Sequence, residues 1–271
     1  MRGLFTTGVL DVWMEQGLPV DGFVGVSAGA AFGCNLKSGQ IGRALRYNLQ
    51  YCKDPRYCGF RTWLKTGDLF GAEFCYETLP KYLDPFDEAA FDASDLIFYV
   101  VATDANTGKP VYHCCTRAND ATYTWIRASA SMPLVSKPVP IGTRLFLDGG
   151  ISDPIPMAFL QSRGYERIVV VLTQPRDYVK KPVPLSGALR RVLRDFPALC
   201  DAMCARHLVY ESERRAVFER EHAGEIFVIA PPGKLEVSRV EHDRKKLQRA
   251  YDQGREAILS RLDALHDFLA Q

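Results

Sequence analysis

The sequence predicts an α/β fold: a three-layer sandwich with a mostly parallel central sheet, followed by a mainly helical C-terminal region. Short apolar runs of strand length alternate with stretches of helical periodicity, and a glycine-rich turn joins one such run directly to a helix. The chain has 271 residues, 47% of them apolar, which is enough to bury a substantial core.

The first three elements are a helix, a strand and a second helix. Apolar side chains recur at helical spacing over residues 4–16, and Gly17 is typical of the left-handed cap that ends a helix. Residues 21–26 (DGFVGV) form a short apolar run. The small residues 28–31 follow at once and begin the second helix, so the local order is strand, sharp turn, helix.

The later strands are apolar on both faces. Residues 96–102 (LIFYVVA), 167–172 (RIVVVL) and 225–230 (EIFVIA) are rich in β-branched and aromatic side chains, as the buried strands of parallel sheets are. Residues 104–110 are rich in turn formers and predict a hairpin to a strand at 111–115.

Two prolines, Pro182 and Pro184, mark the one boundary that the composition suggests. They divide a first domain, residues 1–181, from a mainly helical region, residues 182–271. Within that region we expect residues 225–230 to return as a strand and residues 240–269 to form a long helix that packs on the sheet domain.

Composition and charge exclude several classes of protein. A formal net charge of +2 gives no basic footprint for nucleic acid. No apolar run reaches the roughly 18 residues that span a bilayer, and the first residues do not resemble a signal peptide. The eight cysteines include no C-x-x-C pair, so thiols in a reducing cytosol are the simplest interpretation. We expect a protein that is cytoplasmic or peripherally associated with membrane.

The motif that carries chemistry is G-x-S-x-G over residues 25–29, placed between a strand and a helix. This is the setting of a nucleophile elbow, in which a serine sits on a strained turn at the carboxyl end of a strand. Gly25 and Gly29 remove side chains that would collide at such a turn. The helix that follows directs its amino end at Ser27 and favours negative charge there. The alternative is a small-residue turn needed only for close packing of strand and helix.

A serine hydroxyl needs a base within hydrogen-bond reach. None of the five histidines follows a strand into a loop, as a triad histidine would. Asp148 is the better candidate, because a short apolar strand ends there and is followed by Gly149 and Gly150. We expect this carboxylate to lie at the same sheet edge as the elbow. A purely structural Asp-Gly turn is the alternative.

Taken in order, four features resemble the patatin-like phospholipases. They are Met1-Arg2-Gly3 before a helix, the elbow at residues 25–29, the stretch at residues 127–133 (RASASMP) and the turn Asp148-Gly149-Gly150. The resemblance covers about residues 1–175. It implies a Ser-Asp dyad acting on acyl esters of lipids, with Ser27 as nucleophile and Asp148 as base. It also implies oxyanion donors from the turn that ends at Gly3, with Arg2 beside it.

The chain departs from the family pattern at its start. In the family a first strand and further glycines precede the position of Met1, so residues 1–181 resemble an N-terminally incomplete catalytic domain. Without that strand, backbone groups beside the elbow strand lack partners. We therefore expect translation to start upstream of Met1.

Two further patterns each have a functional and a plainer structural interpretation. Cys200, Cys204 and His207 share a helical face that zinc could use, but a packed face of small hydrophobes is favoured. A stretch holding Trp63, Leu64, Phe70 and Phe74 is either an acyl channel or lid, or an ordinary packed surface.

Three arginines, Arg190, Arg191 and Arg194, are interleaved with apolar residues. This pattern favours a solvated helix face over one that rests on anionic lipid. Serines 129, 131 and 136 lack the glycine flanks of the elbow and are interpreted as cap and loop residues.

The sequence thus predicts a serine acyl hydrolase without cofactor, of the phospholipase A or lipid esterase type. Its expected partners are a lipid or other acyl-ester substrate and, transiently, a membrane surface. Two alternatives stay open: a catalytically silent domain that binds lipid or a partner, and an acyltransferase that uses the same dyad.

Overall fold

A computed structural model describes residues 1–183 and 186–271, and within them the predicted α/β class is confirmed. The strands are β1 (Gly22–Val26), β2 (Ile97–Asp104), β3 (Pro110–Cys115), β4 (Val139–Ile141), β5 (Arg144–Asp148), β6 (Ile168–Val171) and β7 (Ile226–Ile229). The helices are α1 (Gly3–Glu15), α2 (Ala28–Lys37), α3 (Arg43–Tyr51), α4 (Phe60–Thr66), α5 (Glu88–Ala93), α6 (Asp120–Ala130), α7 (Met157–Ser162), α8 (Ser186–Val192), α9 (Pro197–His222), α10 (Arg244–Leu259) and α11 (Leu262–Ala270). A π-helical segment (Phe74–Leu83) and a 3₁₀ turn (Gly149–Ile151) complete these elements.

The opening helix and the hairpin form as the sequence predicts. Helix α1 ends at Glu15, and Gly17 has φ +58°, the left-handed conformation that the helix end requires. Strands β2 and β3 pair antiparallel through the turn-forming segment 105–109. In that turn one carboxylate oxygen of Asp104 accepts hydrogen bonds from the backbone N–H groups of Asn106 and Thr107.

The central strand of the sheet is β2. Strand β3 pairs antiparallel with residues 98–103 of β2 along one edge of that strand. The opposite edge of β2 is shared by two strands: β1 pairs parallel with residues 97–101, and β5 pairs antiparallel with residues 102–104. Strand β4 pairs antiparallel with β5. Two β-strand ends, those of β1 and β5, therefore meet on one edge of β2.

The pairing directions correct the prediction of a mostly parallel sheet. Among the described strands, β1 with β2 and β6 with β7 are parallel, whereas β2 with β3, β2 with β5 and β4 with β5 are antiparallel. An apolar run shows that a strand is buried on both faces but not the direction of its neighbours. The run at residues 96–102 therefore predicted the burial of β2 but not whether its neighbours are parallel or antiparallel.

Helices cover both faces of the sheet, as a three-layer sandwich requires. On one face Phe98 and Val100 pack with helices α2, α5 and α6, and on the other Tyr99 packs edge-on against Phe159 of α7 with ring centroids 4.9 Å apart. The returning strand predicted at residues 225–230 is confirmed as β7, which pairs parallel with β6. The predicted boundary at residues 182–184 stays a prediction, because Pro184 lies outside the described residues.

The long C-terminal helix predicted over residues 240–269 is two helices. Helix α10 ends at Leu259 and α11 begins at Leu262. At the break Arg261 leaves the helical conformation, and its guanidinium donates a hydrogen bond to the carbonyl of Val228 in β7. The change of direction lets Leu265 and Phe268 pack against the β7 side chains Phe227 and Ile229. A continuous helix would carry Leu265 and Phe268 away from the sheet.

Helices α1 and α10 touch backbone to backbone. A Cβ added to Gly254 would lie 1.9 Å from the carbonyl oxygen of Phe5, and one added to Gly8 would lie 2.1 Å from that of Tyr251. Both distances are far below contact, so the two glycines permit this approach.

This close approach gives a stability test. Gly254→Ala improves helix propensity by about 1 kcal/mol, but the carbonyl of Phe5 belongs to a buried helix and cannot move aside. We expect a net loss of about 1–3 kcal/mol in the free energy of unfolding, measured by urea denaturation. The control is Gly233→Ala, where an added Cβ meets nothing within 4 Å; equal midpoints for the two variants would contradict the packing described.

Candidate active site

The sheet brings Ser27 and Asp148 together. Strand β1 ends at Val26, opposite Val101, and β5 ends at Asp148, opposite Ala102. Because β1 runs parallel and β5 antiparallel to β2, their C-terminal ends face each other at neighbouring positions. The hydroxyl of Ser27 donates a 2.7 Å hydrogen bond to Oδ2 of Asp148.

The turn at Ser27 has the strained geometry of an elbow. Ser27 has φ 55° and ψ −119°, a conformation that typically costs a residue with a side chain about 1–3 kcal/mol. Its backbone N–H donates a 2.9 Å hydrogen bond to the hydroxyl of Ser129 in α6, which helps to hold the strained turn.

The two flanking glycines of the elbow differ in role. A Cβ at Gly25 would lie 2.6 Å from Cα of Ala30, so glycine is required there. A Cβ at Gly29 would meet nothing within 4 Å, which corrects the prediction that both flanks prevent collisions. Gly29 instead borders the open space in front of Ser27.

The carboxylate of Asp148 is held on every side. The residue is 3% exposed. Its Oδ1 accepts a 2.8 Å hydrogen bond from the backbone N–H of Gly150, its own N–H donates to the carbonyl of Ser131, and its carbonyl accepts from the hydroxyl of Thr103. These contacts fix the carboxylate with one oxygen aimed at Ser27.

Burial raises the pKa of the Asp148 carboxyl above its ordinary value. The hydrogen bond from Ser27, the positive charge of Arg206 and the hydrogen bond from Gly150 act in the opposite direction but do not cancel it. The carboxylate is therefore a stronger base than a solvated aspartate, which is what proton removal from a serine hydroxyl needs.

Ser27 and Asp148 border a cavity of about 750 Å³, large enough for a small lipid or a single acyl chain. The apolar part of its lining includes Phe23, Phe32, Tyr47, Phe70, Leu79 and Phe86. Arg2, Gly3 and Gly150 border it too. The cavity thus combines an apolar wall with a small set of polar groups around one hydroxyl.

Two helix N-termini converge on this cavity. Helix α1 begins at Gly3 and α2 at Ala28, and a Cβ on Gly3 would lie 2.6 Å from that of Ala28. The free backbone N–H groups at helix N-termini favour negative charge. The oxyanion role predicted for Arg2 and Gly3 stays a prediction, and this convergence is consistent with it.

All five histidines lie within the described residues, and none borders the cavity. His113 stacks on the indole of Trp125 with ring centroids 4.5 Å apart, and burial lowers the pKa of its imidazole. Nδ1 of His207 and of His242 lies within hydrogen-bond distance of the backbone carbonyls of Cys204 and Cys52 respectively.

The stretch over residues 63–74, predicted to be either an acyl channel or lid or an ordinary packed surface, does not follow one interpretation throughout. Phe70 borders the cavity, whereas Phe74 is buried beside it and Leu64 is exposed to solvent.

Cys200 of the possible zinc site is buried with Leu199 and Met203, as expected for a packed helix face. No grouping of three metal-ligating side chains occurs in the part of the chain that the structure describes.

Sequence reasoning missed several residues of the site. Ser129, interpreted as a cap or loop residue, is fully buried and binds the backbone of Ser27. Arg206 of α9 donates a hydrogen bond to the carbonyl of Gly150, next to Asp148. Lys180 and Arg239 also border the cavity. No local motif marks these residues, because each approaches from a distant part of the chain.

The comparison with protein families agrees with this geometry. A family model described as "Patatin-like phospholipase" matches residues 1–160, which hold both Ser27 and Asp148. The chain belongs to the patatin-like phospholipase family. A second model, "Domain of unknown function (DUF6363)", matches residues 196–270.

Curated relatives of this patatin-like chain carry general names. "Uncharacterized protein YjjU" of Escherichia coli (strain K12) is 30% identical over 248 residues, which are 87% of this chain and 64% of that protein. "Uncharacterized NTE family protein Rv1063c" of Mycobacterium tuberculosis (strain ATCC 25618 / H37Rv) is 27% identical over 214 residues, 77% of this chain and 57% of that protein. The chain therefore spans less than two thirds of the length of these relatives. Among the described helices of this family member, none has the length and apolar character to cross a bilayer.

The basicity of Asp148 gives a prediction for the reactivity of Ser27. Only the ionised carboxylate can accept the serine proton, so the rate of modification by a serine-directed fluorophosphonate should fall as the pH drops through the raised pKa of Asp148. The acid limb is expected above the ordinary aspartate value of about 3.9. The measurement is the pH dependence of labelling, followed by intact mass.

The matched variant is Asp148→Asn, which keeps the shape and removes the base. It should label slowly at every pH, with no acid limb. A variant that labels at the rate of the unaltered protein would contradict the role assigned to this carboxylate.

Proposed function

We propose that the protein is a serine acyl hydrolase that cleaves acyl ester bonds of lipids through Ser27 and Asp148. The observation that carries this is the 2.7 Å hydrogen bond from Ser27 to a buried carboxylate at the edge of a cavity that has an apolar wall. Membership of the patatin-like phospholipase family supports a lipid substrate. We further propose that the hydrolase is of the phospholipase A or lipid esterase type.

The reaction proceeds in two balanced steps. The hydroxyl proton of Ser27 passes to Asp148 as Oγ attacks the acyl carbonyl, and the ester C–O bond breaks as the leaving alcohol takes that proton. Asp148 then accepts a proton from water, which attacks the acyl-enzyme, and the proton returns to Ser27 as the fatty acid leaves. The same carboxylate serves both steps, and no cofactor takes part.

The charge that develops on the carbonyl oxygen needs donors. Backbone N–H groups at the starts of α1 and α2 border the same cavity, with Arg2 beside them. One donor of this kind typically contributes about 2.7–4 kcal/mol to transition-state stabilisation. We assign this role to the turn that ends at Gly3.

The central experiment is ester hydrolysis by matched serine variants. Ser27→Ala should lower kcat/KM for p-nitrophenyl butyrate by at least about a thousandfold, because the nucleophile is lost. Ser136→Ala, outside the cavity lining, should hydrolyse at the unaltered rate. Chromatography of the products with and without added glycerol separates hydrolysis from acyl transfer.

Two outcomes would overturn the proposal. Equal activity of the Ser27→Ala and Ser136→Ala variants would assign hydrolysis to another group. No turnover by any of them, together with no fluorophosphonate adduct at Ser27, would favour a catalytically silent binding domain.

A further inference from the structure

Helix α9 of the C-terminal region contacts the chain just after Asp148 through two hydrogen bonds. Nε of Arg206 donates to the carbonyl of Gly150, and Oε2 of Glu213 accepts a 2.8 Å bond from the backbone N–H of Ile155. Arg206 and Glu213 stand at positions i and i+7, so they lie on the same face of the helix. This face of α9 therefore follows the chain from the Asp-Gly-Gly turn onward.

Apolar packing fixes the helix in this position. Leu199, Cys200 and Met203 of α9 are buried in one cluster with Leu147 and Ile151, which flank the Asp-Gly-Gly turn in the sequence. A close-packed contact of this kind leaves the helix little freedom to shift. The packing thus determines where the next turn of α9 lies relative to the candidate dyad.

The guanidinium of Arg206 also lies close to the carboxylate of Asp148. A Cβ built on Gly150 would stand 3.1 Å from Oδ1 of Asp148 and 3.2 Å from Nη2 of Arg206, so both atoms face the same small space. The backbone N–H of Gly150 donates a 2.8 Å hydrogen bond to that same Oδ1. Gly150 is therefore held through its carbonyl by Arg206 while its N–H holds the carboxylate.

Arg206 has no other carboxylate to act on at close range. Across residues 1–183 and 186–271 it takes part in no ion pair. Burial raises the pKa of the Asp148 carboxyl, and the hydrogen bond from Ser27 opposes this effect most. The charge of Arg206 opposes it next, ahead of Gly150 and Lys180. Arg206 thus stabilises the ionised form of the buried base.

Lys180 is the other charged group that acts on Asp148, and its effect is smaller than that of Arg206. Burial, together with the charge of Arg206, lowers the pKa of Lys180 to about 8. Lys180 is therefore charged throughout the acid range in which a carboxyl titrates. A change in the acid limb of activity can then be assigned to the Asp148 carboxyl and to the groups that stabilise its ionised form.

We propose that the C-terminal region completes the active site through Arg206, a positioning residue that fixes the Gly150 turn and places its positive charge beside the Asp148 carboxylate. The second family model, over residues 196–270, contains Arg206. The inference rests on the proposed hydrolase function, in which Asp148 must be ionised to take the proton of Ser27. In this role Arg206 acts through the base and not on the ester itself.

The first test compares the pH profiles of Arg206→Gln and Arg206→Lys with p-nitrophenyl butyrate, an uncharged ester that offers an arginine no anionic group to bind. In Arg206→Gln the charge is lost, so the acid limb of kcat/KM should move to higher pH by about one unit. Above the limb kcat should stay about tenfold lower, with KM within about twofold, because the carboxylate is held less firmly. Arg206→Lys keeps the charge and should keep the acid limb of the unaltered protein.

The matched control is Arg215→Gln, at an exposed position of the same helix that does not border the cavity holding Ser27. Its rate and pH profile should equal those of the unaltered protein. An acid limb that stays in place in Arg206→Gln, or the same loss at every pH in Arg206→Gln and Arg206→Lys, would overturn the inference and leave the hydrolase proposal standing. Absence of hydrolysis by the unaltered protein would instead count against the proposed function.

The second test needs no turnover, so it decides the inference even if the proposed function fails. The Asp148 carboxyl is titrated by ¹³C NMR in the unaltered protein and in the three variants. Its pKa should rise in Arg206→Gln and be unchanged in Arg206→Lys and Arg215→Gln. Glutamine and arginine have similar helix propensities, so Arg206→Gln should fold. Equal titration of Arg206→Gln and the unaltered protein would overturn the inference. A raised pKa in Arg206→Lys, where the charge remains, would do so as well.

Discussion

The hydrogen bond between Ser27 and Asp148 depends on two strands that end face to face on β2. Val26 and Asp148 occupy neighbouring positions opposite Val101 and Ala102, so a change of register in either strand would separate the pair. The β-sheet, rather than any loop, sets the distance between hydroxyl and carboxylate. The surrounding helices then protect this contact from water, which is why the carboxyl is buried and its pKa raised.

Burying a carboxylate and straining a turn both oppose folding, and the structure offsets each locally. Asp148 accepts hydrogen bonds from Ser27 and Gly150, and a buried charge that is hydrogen-bonded costs far less than one that is not. Ser27 is held in its strained conformation by Ser129. Arg206 and Lys180 add favourable charge from further away. The C-terminal region therefore contributes to the site, although neither catalytic candidate lies in it.

The sequence was most informative where a tight turn restricts which residue types can occupy neighbouring positions. A serine between two glycines at a strand-to-helix turn and an Asp-Gly-Gly after a short strand were enough to select Ser27 and Asp148, and turn-forming residues predicted the β2–β3 hairpin. Three features had no such signal. Strand direction leaves no mark in a fully apolar run, the break at Arg261 depends on a contact with β7, and Arg206 reaches Asp148 only through the tertiary fold.

The most direct test of the central contact is the pKa of the Asp148 carboxyl, measured by ¹³C NMR with labelled aspartate in the unaltered protein and in Ser27→Ala. The hydrogen bond from Ser27 stabilises the ionised form and lowers this pKa against the effect of burial. Removing the hydroxyl should therefore raise it further above the ordinary aspartate value. Superimposable titration curves for the two proteins would contradict the account, because the hydroxyl and the carboxylate would then not interact.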